Sequence, residues 1–165
     1  MYEKNLLIVS IFIVITIGIL SKNKLLKKNE VWSIQLEKIS AKVVGDASYT
    51  LPNVYNTILS DYSVYFKKPG DKVIFTFQMV NNGTSYAKLM DIIKSIPKCS
   101  EKSLCNNIKY NIMNEDGTKI EKDMVLFPNS KKNIKIVIEY PNNILSNKAM
   151  MIDNLDIDFL FSKLS

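Results

Sequence analysis

The chain of 165 residues contains no histidine and no arginine. The first absence excludes Ser-His-Asp and Cys-His nucleophilic mechanisms and the His-Glu-x-x-His zinc helix. The second removes the bidentate guanidinium fork that reads guanine and clamps phosphate. A net charge of +6 carried on 22 lysines therefore gives no basis for specific nucleic-acid binding. Only two cysteines occur, and with no histidine to complete a ligand set they leave no whole zinc site. Neither a G-x-S-x-G elbow nor the twelve-residue EF-hand loop is present, and no S-x-x-K opens a credible helix. No catalytic residue, cofactor or resident metal is expected.

Long apolar runs are equally scarce, with one exception. Leu6 to Leu20, LLIVSIFIVITIGIL, runs without a charge. As a helix it would span roughly 22 Å, against about 30 Å of hydrocarbon in a bilayer, and Lys4 and Lys22 can snorkel to extend it. The segment that follows, SKNKLLKKNE, offers neither a small-residue cleavage pattern nor a lipobox cysteine. The expectation is a retained single-pass anchor over residues 1–28, with Leu6, Leu7, Ile8, Phe12, Ile15 and Leu20 in its apolar body. A cleaved signal peptide is the alternative. Lys22, Lys24, Lys27 and Lys28 follow the run, and by the positive-inside rule they place the rest of the chain in the cytoplasm. The domain itself argues the other way.

From Val31 onward the dominant period is two. Val73, Phe75, Phe77 and Met79 share one face of a strand; Ile134, Ile136, Ile138 and Tyr140 share another. Tyr62, Val64 and Phe66, and Leu155, Ile157, Phe159 and Phe161, repeat the pattern. Trp32, Ile34 and Leu36 alternate, and Ile39, Ala41 and Val43 resume out of phase, which predicts a bulge at Glu37–Lys38. Turn chemistry lies between the runs: Pro69-Gly70, Asn82-Gly83 and Asp116-Gly117, the latter two suited to tight hairpins. The pattern predicts an all-β domain over residues 29–165, an antiparallel Ig-like sandwich of about seven or eight strands preceded by one transmembrane helix.

The stretch from Pro69 to Leu89, a Pro-Gly-Asp followed by an alternating strand and then VNNGTSYAKL, resembles a strand pair of Ig-like modules in bacterial surface proteins. It is similar, more distantly, to secreted sandwich proteins of the TasA and camelysin kind. The resemblance implies a sandwich fold and a location at the cell surface. Camelysin-type proteins are associated with protease activity, but this chain has no histidine to carry it.

Cys99 and Cys105 can pair if the loop CSEKSLC bends back, or stand as reduced bystanders. A disulfide would argue for an extracytoplasmic compartment, against the lysine count. Asp153, Asp156 and Asp158 supply oxygen ligands of the kind calcium favours, though a solvated strand face accounts for them equally. Trp32 and the tyrosines at 49, 55, 62, 65, 86, 110 and 140 could make a carbohydrate or protein platform, but scattered over several strands they are expected to divide between core and rim, with core packing favoured over a platform. The function expected is a non-enzymatic binding or assembly module. Its partners would be the membrane, through the N-terminal helix, and other envelope proteins or further copies of itself. A fibre subunit that polymerises by exchanging a strand from the segment ASYTLPNVYNTILSDYSVYF is the alternative.

Overall fold

Apolar residues at every second position cannot face one core unless the backbone is extended, and the long alternating runs form the long strands of two antiparallel sheets. The computed structural model describes residues 31–144 and 146–164. The N-terminal run with Leu6, Leu7, Ile8, Phe12, Ile15 and Leu20 lies outside the described residues. Among the described residues no helix is long and apolar enough to cross a membrane.

One sheet holds β1 (Ile34–Val44), β5 (Lys72–Asn81), β10 (Ser130–Glu139) and β8 (Lys109–Asn114), in that order. The other is built on β4 (Ile58–Phe66), β11 (Met150–Leu164) and β6 (Tyr86–Lys94). Short strands extend it. β2 (Ser48–Tyr49) and β3 (Asn53–Tyr55) pair with β4, β7 (Lys98–Cys99) with β11, and β9 (Val125–Leu126) with β6. The described helix α1 is the single turn Lys102–Cys105. Seven strands of six residues or more thus form an all-β, sandwich-like arrangement.

The core lies between the sheets. Val73, Phe75 and Met79 of β5, Ile134 and Ile136 of β10, Tyr62, Val64 and Phe66 of β4, and Leu155, Ile157 and Phe159 of β11 are all fully buried. Rings meet across the layers: Phe75 stands edge-on to Tyr62 at 5.4 Å, and Phe77 meets Phe159 at 5.6 Å. Each such side chain contributes about 1.5–3 kcal/mol by leaving water, and a one-residue slip of β5 would expose its whole apolar set. Beyond Phe159 the alternation of β11 falters at a register shift between Leu160 and Phe161, and Phe161 is half-buried.

The bulge in β1 falls where the phase of its alternation changes, with a register shift between Glu37 and Ser40 and Lys38 at φ 54°. Two expectations need correction. Asn82-Gly83 does not close a hairpin: β5 and β6 belong to opposite sheets, and residues 82–85 cross between them. The buried Asn81 side chain organises that crossing, donating to the Ser85 and Leu126 carbonyls and accepting the Gly83 N–H at 3.0 Å. The segment proposed as a loose strand is likewise not loose throughout, since Ile58–Phe66 is β4, a core strand paired with β11. Only β2 and β3 are slight, and Pro52 interrupts them.

Pro69-Gly70 also links opposite sheets, β4 to β5, with Gly70 at φ 95° donating its N–H to the Tyr140 carbonyl. Asp116-Gly117 makes a tight turn after β8. Gly117 has φ 89°, its N–H reaches the Asn114 carbonyl, and the Asp116 carboxylate accepts from the Thr118 N–H and hydroxyl.

Candidate functional site

β8 is an edge strand of its sheet, and β6 is covered on its outer side by β9 only at Ala87 and Lys88. Hydrogen bonds from Leu89 to Met124 and from Asp123 to Leu89 end that cover. Among the described residues no strand continues along the outer side of Asp91–Lys94 or of Lys109–Ile112. Between these two open edges lies a groove of about 690 Å³. Ile92, Ile112, Met113 and Ile120 supply its apolar wall, and Lys94, Lys119 and Lys122 its basic rim.

Local chemistry holds the groove open at a fixed width. Lys122 pairs with Asp91 at 2.9 Å, tying the 117–122 segment to β6. That ammonium, and then the Ile92 N–H, keep the Asp91 carboxyl below the usual carboxylate range. Lys94 lies 5.1 Å from the centre of the Tyr110 ring and reaches the Tyr110 carbonyl at 3.5 Å, bridging β6 to β8. Behind the wall the hydroxyls of Tyr62 and Tyr110 hydrogen-bond each other, joining the two sheets. Burial holds both phenols protonated well above the ordinary tyrosine range. An arrangement of this kind offers backbone without a strand partner, held at Ile92 and Tyr110 by side chains alone, together with apolar side-chain pockets and cations. It can receive an extended peptide as an added strand. The carboxylates at its rim are exposed, and Asp91 is engaged by Lys122, so no acid–base pair faces a common point.

Cys99 and Cys105 are paired as a disulfide, their Cα atoms 5.7 Å apart. They sit in residues 95–108, the connection that carries the chain from β6 across to β8, where Cys99 pairs with Ile152 of β11. The aspartates at 153, 156 and 158 do not converge. The Asp156 carboxylate accepts the Asp61 N–H at 3.0 Å, Asp158 accepts the Thr57 hydroxyl, and Asp153 is exposed. Among the described residues no three acidic or cysteine side chains gather as metal ligands would.

The aromatic residues divide between core and rim, with more of them on the rim than in the core. Tyr62 and Tyr140 are in the core, but Trp32, Tyr49, Tyr55, Tyr65 and Tyr86 are exposed. Trp32 precedes β1, and Tyr55 and Tyr86 stand at the outer ends of β3 and β6, where no second sheet covers them. The groove residues escaped the sequence reading because β6 and β8 are brought together only by the fold. The Asp116-Gly117 turn marked where β8 ends, but nothing in the local sequence marked its edge position.

Comparisons with protein-family models, with curated proteins and with solved structures give no match.

Proposed function

We propose that this chain is a membrane-anchored, extracytoplasmic, Ig-like β-sandwich module that binds or assembles with other envelope components and catalyses no reaction. The groove between the open edges of β6 and β8 is the observation that supports the reading best: an apolar-walled slot whose edges have no strand partner suits an extended segment of a partner protein. The anchor rests on the uncharged run Leu6 to Leu20. The outside location rests on the Cys99–Cys105 pair and on the resemblance of Pro69–Leu89 to bacterial surface modules, which outweigh the four lysines after the anchor.

A second reading, a subunit that polymerises through strand exchange, draws on β2 and β3. Two and three residue pairs hold them to β4, so a strand from another copy could replace them.

The test is a photo-crosslinking residue in place of Ile112, in the full chain expressed in its own cells. A crosslinked envelope protein supports the binding module. An absence of crosslinks with the chain present in the membrane sinks it; the same residue in place of the exposed Val54 on β3 tests the subunit reading, which a ladder of copies supports and its absence sinks.

A further inference from the structure

Among the described residues the four most exposed aromatic side chains, Tyr55 at 72%, Phe127 at 60%, Tyr86 at 47% and Trp32 at 45%, occupy one end of the domain. The connectivity fixes this. Asn82 donates to the Ser33 carbonyl, Ile34 and Ser130 are both register partners of Asn81, and Ser130 donates to the Phe127 carbonyl. Tyr86 faces Leu164 in register and meets the Phe127 ring edge-on at 5.5 Å. Leu36 donates to the Asn56 carbonyl, which brings the Tyr55 turn beside β1, and Trp32 and Tyr55 line one cleft with Leu160 and Phe161. Tyr49 and Tyr65, at 38%, lie elsewhere, and Tyr49 packs against Phe75. The opposite end, with loops 45–47, 67–71 and 141–143, instead presents Lys67, Lys68, Asp46, Asn142 and Asn143.

We infer that the Trp32 end of the domain rests on the headgroup layer of the lipid bilayer, with Trp32, Tyr55, Tyr86 and Phe127 as its seat. The inference rests on the anchor proposed above. Exposed rings gain by burying an apolar face while keeping a polar edge wet, which is the reason Trp and Tyr concentrate at membrane interfaces. Residues 82–85 and 127–129 contain no acidic side chain and Lys131 stands exposed beside them, while the one carboxylate of the Trp32–Tyr55 cleft, Asp158, is half-buried and accepts the Thr57 hydroxyl. Lipid is favoured over a second copy by where the rest of the chain attaches. The compact unit begins at Trp32, so the uncharged run Leu6 to Leu20 precedes in sequence the end that carries the rings, and tethering there raises the population of even weak partitioning.

Trp32 is the one tryptophan in the chain, which gives a clean probe. The full chain carrying Trp32→Phe and Phe127→Trp moves the indole to a loop far from the anchor in sequence. It is reconstituted into vesicles of anionic and zwitterionic lipids brominated at shallow acyl positions. The expected result is a blue-shifted emission quenched by the brominated lipid, with quenching reduced by adding Tyr86→Ser. The native chain, read through Trp32, controls for damage by the substitutions. Chain that floats with the vesicles while the position-127 indole stays unquenched overturns the seat and leaves the anchor standing. A blue shift that follows protein density and ignores bromine assigns the rings to a contact between copies, and also overturns it. Chain that fails to float removes the anchor, and the seat with it.

Discussion

The fully buried carboxylate of Asp71 accepts the backbone N–H of Asp46 at 2.9 Å. Its second oxygen accepts the N–H groups of Lys67 and Lys68, at 2.8 and 3.1 Å. One side chain thereby closes the β1–β2 loop onto the β4–β5 crossing, and Tyr140 adds a backbone bond to the Asp71 carbonyl. The third residue of the Pro-Gly-Asp is a joint between three segments of chain.

Removing that joint orphans three donors. Asp71→Ala is expected to cost on the order of 3 kcal/mol in urea unfolding. Asp71→Asn recovers little, because an amide offers one acceptor oxygen where two are used and turns a donor toward the other N–H groups. Full recovery by asparagine would show that the carboxylate is not the joint.

Gly45 and Gly117 make a matched pair for a second test. Both have left-handed φ, 86° and 89°, but a Cβ at Gly45 would lie 2.3 Å from the Asp71 carboxylate, whereas at Gly117 nothing stands within 4 Å. Gly117→Ala should cost about 1 kcal/mol, from the backbone alone. Gly45→Ala should cost roughly twice that or more, because it displaces the same carboxylate. Equal losses in thermal melts would mean that the Asp71 region yields freely.

The Tyr62–Tyr110 pair sets a limit on alkaline stability. Burial first, then the charge and hydrogen bond of Tyr110, raise Tyr62. Burial also raises Tyr110, aided by Asp156 and opposed by the bond to Tyr62. The folded values lie above the ordinary value of 10.0, so this contribution is fully present below about pH 10 and is lost as the pH rises toward the folded values. Phenolate absorbance should show these two tyrosines silent until the protein unfolds. Titration of all eight tyrosines together before unfolding would refute the burial argument.

The cysteine pair offers a test of compartment and of stability. In intact cells a membrane-impermeant maleimide should label Cys99 and Cys105 only after mild reduction. Labelling that needs lysis instead would place the domain in the cytoplasm. In the isolated protein, reduction should cost about 2 kcal/mol for a loop this short. Its effect should be greatest at the two residue pairs that join β7 to β11, read as faster amide exchange at Ile152 and Asp153.

Period-two alternation revealed strands β4, β5 and β10 because burial on one face leaves its mark on local sequence. The β1 bulge was legible for the same reason: the apolar phase changes at Lys38. Which strands neighbour which was not legible, since Asn82-Gly83 has the residues of a hairpin whether the chain turns back or crosses to the other sheet. β11 was read only from Leu155, yet it runs from Met150. A register shift between Ile152 and Leu155, with Asn154 at φ 57°, breaks its alternation and hid its first third, Met150 to Asn154. The groove was invisible because its walls come from β6 and β8, with the Asp116-Gly117 turn and the segment after it closing one side. No local pattern encodes that meeting.

β11 is the last strand in sequence, yet it runs between β4 and β6 at the centre of its sheet. Neither neighbour can complete its ladder until residues 150–164 are made, so this half of the core stays open while the strands before it are synthesised. The domain closes in one late step, when its central strand arrives between two that have been waiting for it.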